Sequence, residues 1–149
     1  MIIDRTSQDV ENARTLRDTK VKAFEILTQE EIATLERGTI TKNTINRIEN
    51  KQAELKDLLN EAGYWNTPTI NKTWTGNDWQ YREEWQRVLN NLNVLKQAYF
   101  TYTGTPATPD RKLDYINLNA VEKILDDLHR MINAMQSQYR QCGTFQCGE

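Results

Sequence analysis

Asn46–Leu55 reads NRIENKQAEL, and Asn119–Leu128 reads NAVEKILDDL. Both spell Asn, any residue, a branched aliphatic, Glu, five residues and Leu, at an offset of 73 positions. With Ile40–Ala62 set against Leu113–Met135, the agreement extends outward. Asn60 meets Asn133, and Ile45, Ile48, Leu58 and Leu59 meet Leu118, Val121, Met131 and Ile132. The aliphatic positions follow the 3.6-residue period of an amphipathic helix, so each stretch predicts a long helix with one buried face. Two amphipathic helices agree at core positions by convergence. The shared Asn-x-aliphatic-Glu opening is less trivial. One reading gives two similar helix starts, with the Glu complementing the helix dipole and the Asn bonding free backbone groups. The other gives two helices in related positions, paired within one bundle.

The flanking sequence extends this helical reading. Ser7 is the expected N-cap of a first helix, with Asp9 and Glu11 in its first turn and Val10, Ala13, Leu16 and Val21 along one face. Phe24–Leu27 is an apolar connection. Thr28-Gln29-Glu30-Glu31 spells a capping box for a second helix carrying Ile32 and Leu35, with Gly38 expected just past its end. A third helix starts near Thr41–Thr44, buries Ile45, Ile48, Gln52, Leu55, Leu58, Leu59 and Ala62, and stops at Gly63. The thirteen-residue aromatic loop YWNTPTINKTWTG, Tyr64–Gly76, is long for a compact bundle and is expected to pack over something. A fourth helix runs from about Asp78 to Phe100, with Trp85, Val88, Leu89, Leu92, Leu95 and Tyr99 on its stripe. After a linker rich in Gly and Pro, a fifth spans about Asp114–Tyr139, with Leu118, Val121, Leu125, Leu128, Ile132 and Met135 inward. Residues 141–149 are expected to form a short, non-helical, extended tail. The fold class is therefore all-α: a single domain over 1–149, a bundle of about five helices, three of them long.

Composition agrees and excludes several function classes. Only 6 Gly and 3 Pro among 149 residues leave little loop chemistry. The 19 basic and 21 acidic residues are interspersed, without the clustered Lys and Arg that neutralise phosphates, so no nucleic-acid partner is expected. MIIDRTSQDV turns polar at Asp4, so no secretory leader is expected. No apolar run approaches a membrane span, so no membrane partner is expected either.

Several segments, taken in order, resemble a family of small helical proteins and domains found in tail gene clusters of phages and prophages of Firmicutes. They are IIDRTSQDVENARTL, a capped helix ending in LERG, TINRIENKQAELKDLLNEAGY, TWTGNDW, RVLNNLNVLKQAY, LDYINLNAVEKILDDLHRMI and the Gly-Glu terminus. The resemblance covers nearly the whole chain. Its motifs are individually weak, and their order is the specific part. This chain reads GTITKNTI where the family often has Gly-Ala-Tyr-Asn-Tyr, and its C-terminal motif carries cysteines that the family generally lacks. The resemblance implies a phage structural or tail-associated part located in the virion, made in the host bacterial cytoplasm, with other phage structural proteins as partners and a homo-oligomer within the virion. It supplies no catalytic residue.

The residues themselves spell no reaction. His129 is the sole histidine, with no Cys or second His at ligand spacing, and a general acid or base needs a positioned partner. Glu30-Glu31, Glu83-Glu84 and Asp126-Asp127 are adjacent on helices and point about 100° apart, which suits solvated faces. Cys142 and Cys147, spaced C-x4-C, do not make a zinc site; they are either free thiols or a pair closing a tight loop. No metal or cofactor is expected, and the chain is read as non-catalytic. The residues expected at an assembly interface are Trp65, Trp74, Trp79 and Phe145: Trp65, Trp74 and Phe145 have no obvious helical partner, and Trp79 borders the aromatic loop. The alternative is a carbohydrate- or receptor-binding module using the aromatic loop 64–79.

Overall fold

The computed structural model describes residues 1–66, 72–75 and 82–142, together with the side chains of all these except 82 and 139–142. Five α-helices stand in the order α1 (Ser7–Leu16), α2 (Gln29–Gly38), α3 (Lys42–Glu61), α4 (Arg82–Ala98) and α5 (Tyr115–Cys142). A π-helical turn, Arg17–Val21, prolongs α1. There are no strands among the described residues, and the all-α bundle expected from the periodicity is the observed fold.

The core lies between α3, α4 and α5. Ile45, Ile48, Leu55 and Leu59 of α3 meet Trp85, Val88, Leu89, Leu92 and Leu95 of α4 and the α5 stripe from Leu118 to Met135. The expected positions of all three stripes are buried or packed against this cluster. Ile124 and Met131 join them, because a helix as central as α5 buries more than the narrow stripe that periodicity marks. Gln52 sits among the aliphatics, where its amide nitrogen donates to the Val88 carbonyl at 2.8 Å. That bond satisfies the buried amide nitrogen, while the Gln52 side-chain oxygen is buried without a hydrogen-bond partner among the described residues.

α1 and α2 form a separate hairpin, here called the arm. They pack chiefly on each other, while α3, α4 and α5 pack on one another. Of the first-helix stripe only Ala13 is buried; Val10 and Leu16 are half-buried and Val21 is exposed. The N-cap is Thr6, one residue before the expected Ser7. Its hydroxyl accepts from the Asp9 N–H, and the Asp9 carboxylate accepts from the Thr6 N–H at 2.7 Å. The sequence offers two adjacent hydroxyls, and the reciprocal bond to an acid at the third helical position selects Thr6. The capping box at Thr28 and Glu31 is as expected.

Gly38 has a different role from the expected one. It is the last residue of α2 itself, and Thr39 is the cap. A Cβ there would lie 2.0 Å from the Asp9 carbonyl oxygen and 2.5 Å from the Ala13 Cβ. The glycine therefore lets the α1 backbone approach α2. Gly63, by contrast, does close α3 with φ 87°. At the far end α5 continues through Cys142, two residues into the segment expected to be extended. Residues 143–149, with Phe145 and Cys147, lie outside the described residues.

Candidate functional site: two clamps built from one motif

The repeated Asn-x-aliphatic-Glu motif builds two equivalent devices. Asn119 and Glu122 lie one turn apart on the same face of α5. Asn119 presents its side-chain amide to the backbone of Arg5. Its Oδ1 accepts from the Arg5 N–H at 3.2 Å, and its Nδ2 donates to the Arg5 carbonyl at 2.9 Å. An amide side chain thus pairs with the segment as a neighbouring strand would. Glu122 accepts from the Ile2 N–H and, at 2.9 Å, from the Arg5 guanidinium. A second arginine, Arg47 of α3, reaches the same carboxylate at 2.7 Å. The side chains of Arg5 and Glu122 are 1% and 0% exposed.

Asn46 and Glu49 do the same on α3. Asn46 accepts from the Trp74 N–H at 2.6 Å and donates to the Trp74 carbonyl at 3.0 Å. Glu49 accepts from the Lys72 N–H at 2.9 Å and the Trp74 indole N–H at 3.0 Å. Arg87 of α4 pairs with it at 2.5 Å, and the Lys72 ammonium stands 5.1 Å from the Trp74 ring centroid. Both glutamates are fully buried. Charged-group hydrogen bonds of this kind are stronger than neutral ones; losing one partner leaves the other charge or backbone group stranded out of water.

The match between the helices therefore reflects related positions within one bundle: α3 and α5 pack together and each holds a non-helical segment. The glutamates act on those segments, and neither serves as a dipole complement in a first turn. The sequence continues the parallel. Arg5 is followed by Thr6-Ser7-Gln8-Asp9 and Trp74 by Thr75-Gly76-Asn77-Asp78, the same Thr-x-x-Asp spelling. Sequence reasoning missed the segments because they have no period. The available signal was this short spelling after each clamped residue.

Trp74, one of the expected interface residues, is half-buried, packed against the core, with its indole N–H given to Glu49. Trp65 is 82% exposed. Trp79 and Phe145 lie outside the described residues, so the four are not brought together by what is described. His129 lies at the rim of an open, polar groove of about 640 Å³ between α3 and α5, lined also by Asn43, Asn46, Arg47, Asn50 and Asp126. Its Nδ1 is 2.6 Å from the Lys51 ammonium and its Nε2 3.5 Å from Glu54. A charged ammonium has no lone pair to accept with, so Nδ1 accepts and the ring proton faces Glu54.

The arm ends in the most exposed large apolar side chains among the described residues. Phe24 and Ile26 are each 96% exposed, and Val21 and Ile32 are exposed beside them. Phe24 has φ 56°, the left-handed region that a residue with a side chain adopts at a cost of about 1–2 kcal/mol. Glycine would close this turn more cheaply. At the arm's other end, the Thr6 backbone N–H and the Arg37 guanidinium, 3.1 Å away, hold the Asp9 carboxyl below its ordinary value of 3.8.

Among the described residues no three His, Cys, Asp or Glu side chains are grouped to hold a metal ion, and no described helix is long and apolar enough to cross a membrane. Compared with known proteins, the chain matches no family profile, no curated sequence and no solved structure.

Proposed function

We propose that the chain is a non-catalytic structural component of a phage virion, in the tail, tail tip or connector, acting through protein–protein contacts. The observation that carries this reading is the arm tip. A chain that accepts a left-handed phenylalanine, and holds it and Ile26 in water, gains nothing from them within its own fold; adjacent exposed apolar side chains mark a contact surface. The order of motifs shared with the tail-cluster family supplies the phage context. The clamps supply stiffness, because charge-assisted hydrogen bonds from buried glutamates to backbone and arginine groups hold their segments in place.

Two measurements test this. Mass spectrometry of purified virions from the phage or prophage that encodes the chain should find it at a fixed copy number; its absence from virions would end the reading. Phe24→Gly should leave the isolated protein as stable or up to about 1 kcal/mol more stable, yet lower its incorporation into virions. Normal incorporation would remove the tip from the interface. A second reading, a glycan- or receptor-binding module, is favoured by the exposed Trp65 ring. It predicts binding to cell-wall fragments that is lost in Trp65→Ala.

A further inference from the structure

We propose that the α5 clamp is a segment-docking site that copies of this chain fill for one another, Ile2–Arg5 of one copy seating on Asn119 and Glu122 of the next. The inference is independent of the virion reading and rests on three features of the arm.

The first is what the clamp recognises. It binds the Ile2 N–H, both backbone groups of Arg5 and the Arg5 guanidinium. A second copy presents the same groups in the same spacing, so an exchanged segment makes the same bonds as the chain's own. The second is separability. Apart from the clamped segment, the arm and the bundle are loosely joined: α1 and α2 pack chiefly on each other, and a cleft of about 250 Å³ lies between Val10, Arg37 and Gly38 of the arm and Leu113, Tyr115 and Leu118 of the α5 entry. The third is the hinge. Between α2 and α3 stand only Thr39, Ile40 and Thr41, and both threonines are extended, with ψ of 157° and 166°. A short connection between two separately packed units is the geometry in which exchange of an identical element costs least, since nearly every native contact is re-formed between copies. The α3 clamp is different in kind. Its segment, 72–74, follows its own helix in the chain, whereas Arg5 stands 114 residues from Asn119.

The partner contributes residues to the site, so exchange can be read from the site. Refolded at high protein concentration, the full-length chain should give a dimer in native mass spectrometry. Six Gly/Ser residues inserted between Thr39 and Ile40 touch neither segment nor clamp and let the arm fold back freely; they should lower the dimer fraction at least tenfold. Arg5→Ala alone and Asn119→Ala alone should dimerise weakly. Refolded together they should form a heterodimer at least tenfold above either homodimer, because the intact segment of one meets the intact clamp of the other. A strictly monomeric native chain overturns the proposal, as does a dimer indifferent to both the hinge insertion and Arg5→Ala.

Discussion

Glu122 and Glu49 do the same work in different settings. Each takes a backbone N–H from a non-helical segment whose next contact is an asparagine amide, and each is buried beneath an arginine from a neighbouring helix. Around Glu122 the segment's own donor is a charged guanidinium, and the clamped residues are 2 and 5. Around Glu49 it is a neutral indole, and the clamped residues are 72 and 74, one position closer. In the first segment the Arg5 guanidinium also donates to the Ile2 carbonyl at 2.5 Å. The motif therefore reads backbone geometry and leaves the segment's side chain free to vary, provided it brings a donor to the carboxylate. Chain distance also differs. Arg5 and Asn119 are 114 residues apart and Trp74 and Asn46 are 28, a difference worth about 1 kcal/mol in loop closure. The second clamp is the locally favoured one, and the first ties the beginning of the described chain to its last helix.

That contrast can be broken by removing one charge at a time. Glu122→Gln strands a fully buried arginine and should cost about 3–5 kcal/mol in denaturant melts. Glu49→Gln should cost less, about 1–3 kcal/mol, because Arg87 is 24% exposed and the indole is neutral. Equal losses at the two positions would show that the charge on the segment is immaterial. Leu128→Ala, at a fully buried core position away from either segment, should cost about 2–5 kcal/mol and open neither clamp selectively, as read by amide exchange at Arg5 and Trp74. Gly38→Ala should act on one side only. Its Cβ would press on α1 beside Asp9, overpacking by about 1–3 kcal/mol and hastening exchange in the arm and at Arg5, with Trp74 unaffected; equal protection loss at Trp74 would mean the two ends are coupled.

The smallest expected effect is acid sensitivity. Asp9 caps the helix that follows the first segment, and its folded carboxyl lies below 3.8. A depressed value of this sign contributes stability that is present above the unfolded value and is lost as pH falls through the folded one. Glu31, lowered by Lys20 and by its own cap at Thr28, acts in the same direction below 4.5. Acidification from pH 5 should therefore loosen the arm helices before the bundle, visible as early loss of arm amide protection. Simultaneous loss throughout would show the caps to be energetically silent.

Much of this fold was legible because periodicity reports burial directly. Val88, Leu92, Leu125 and Leu128 recur at helical spacing, and a helix must turn such a stripe inward. Thr28-Gln29-Glu30-Glu31 and Gly63 are local devices whose partners lie within a few residues, so they too could be read in place. The arm was less legible. Val10 and Leu16 have the same spacing as core residues, yet only Ala13 is buried, because whether an amphipathic helix finds a large core depends on what it is placed against.

The sequence by itself determined that there are helices, where most begin and end, and that two of them open alike. Only the tertiary structure decided what the shared opening is for. Asn46 and Asn119 could have capped, and Glu49 and Glu122 could have faced water; a hydrogen bond to a residue 114 positions away leaves no trace in local spacing. The same holds for Gly38, whose missing side chain is explained by the backbone of another helix. Helix formation is set by neighbours along the chain, and these roles by neighbours across space.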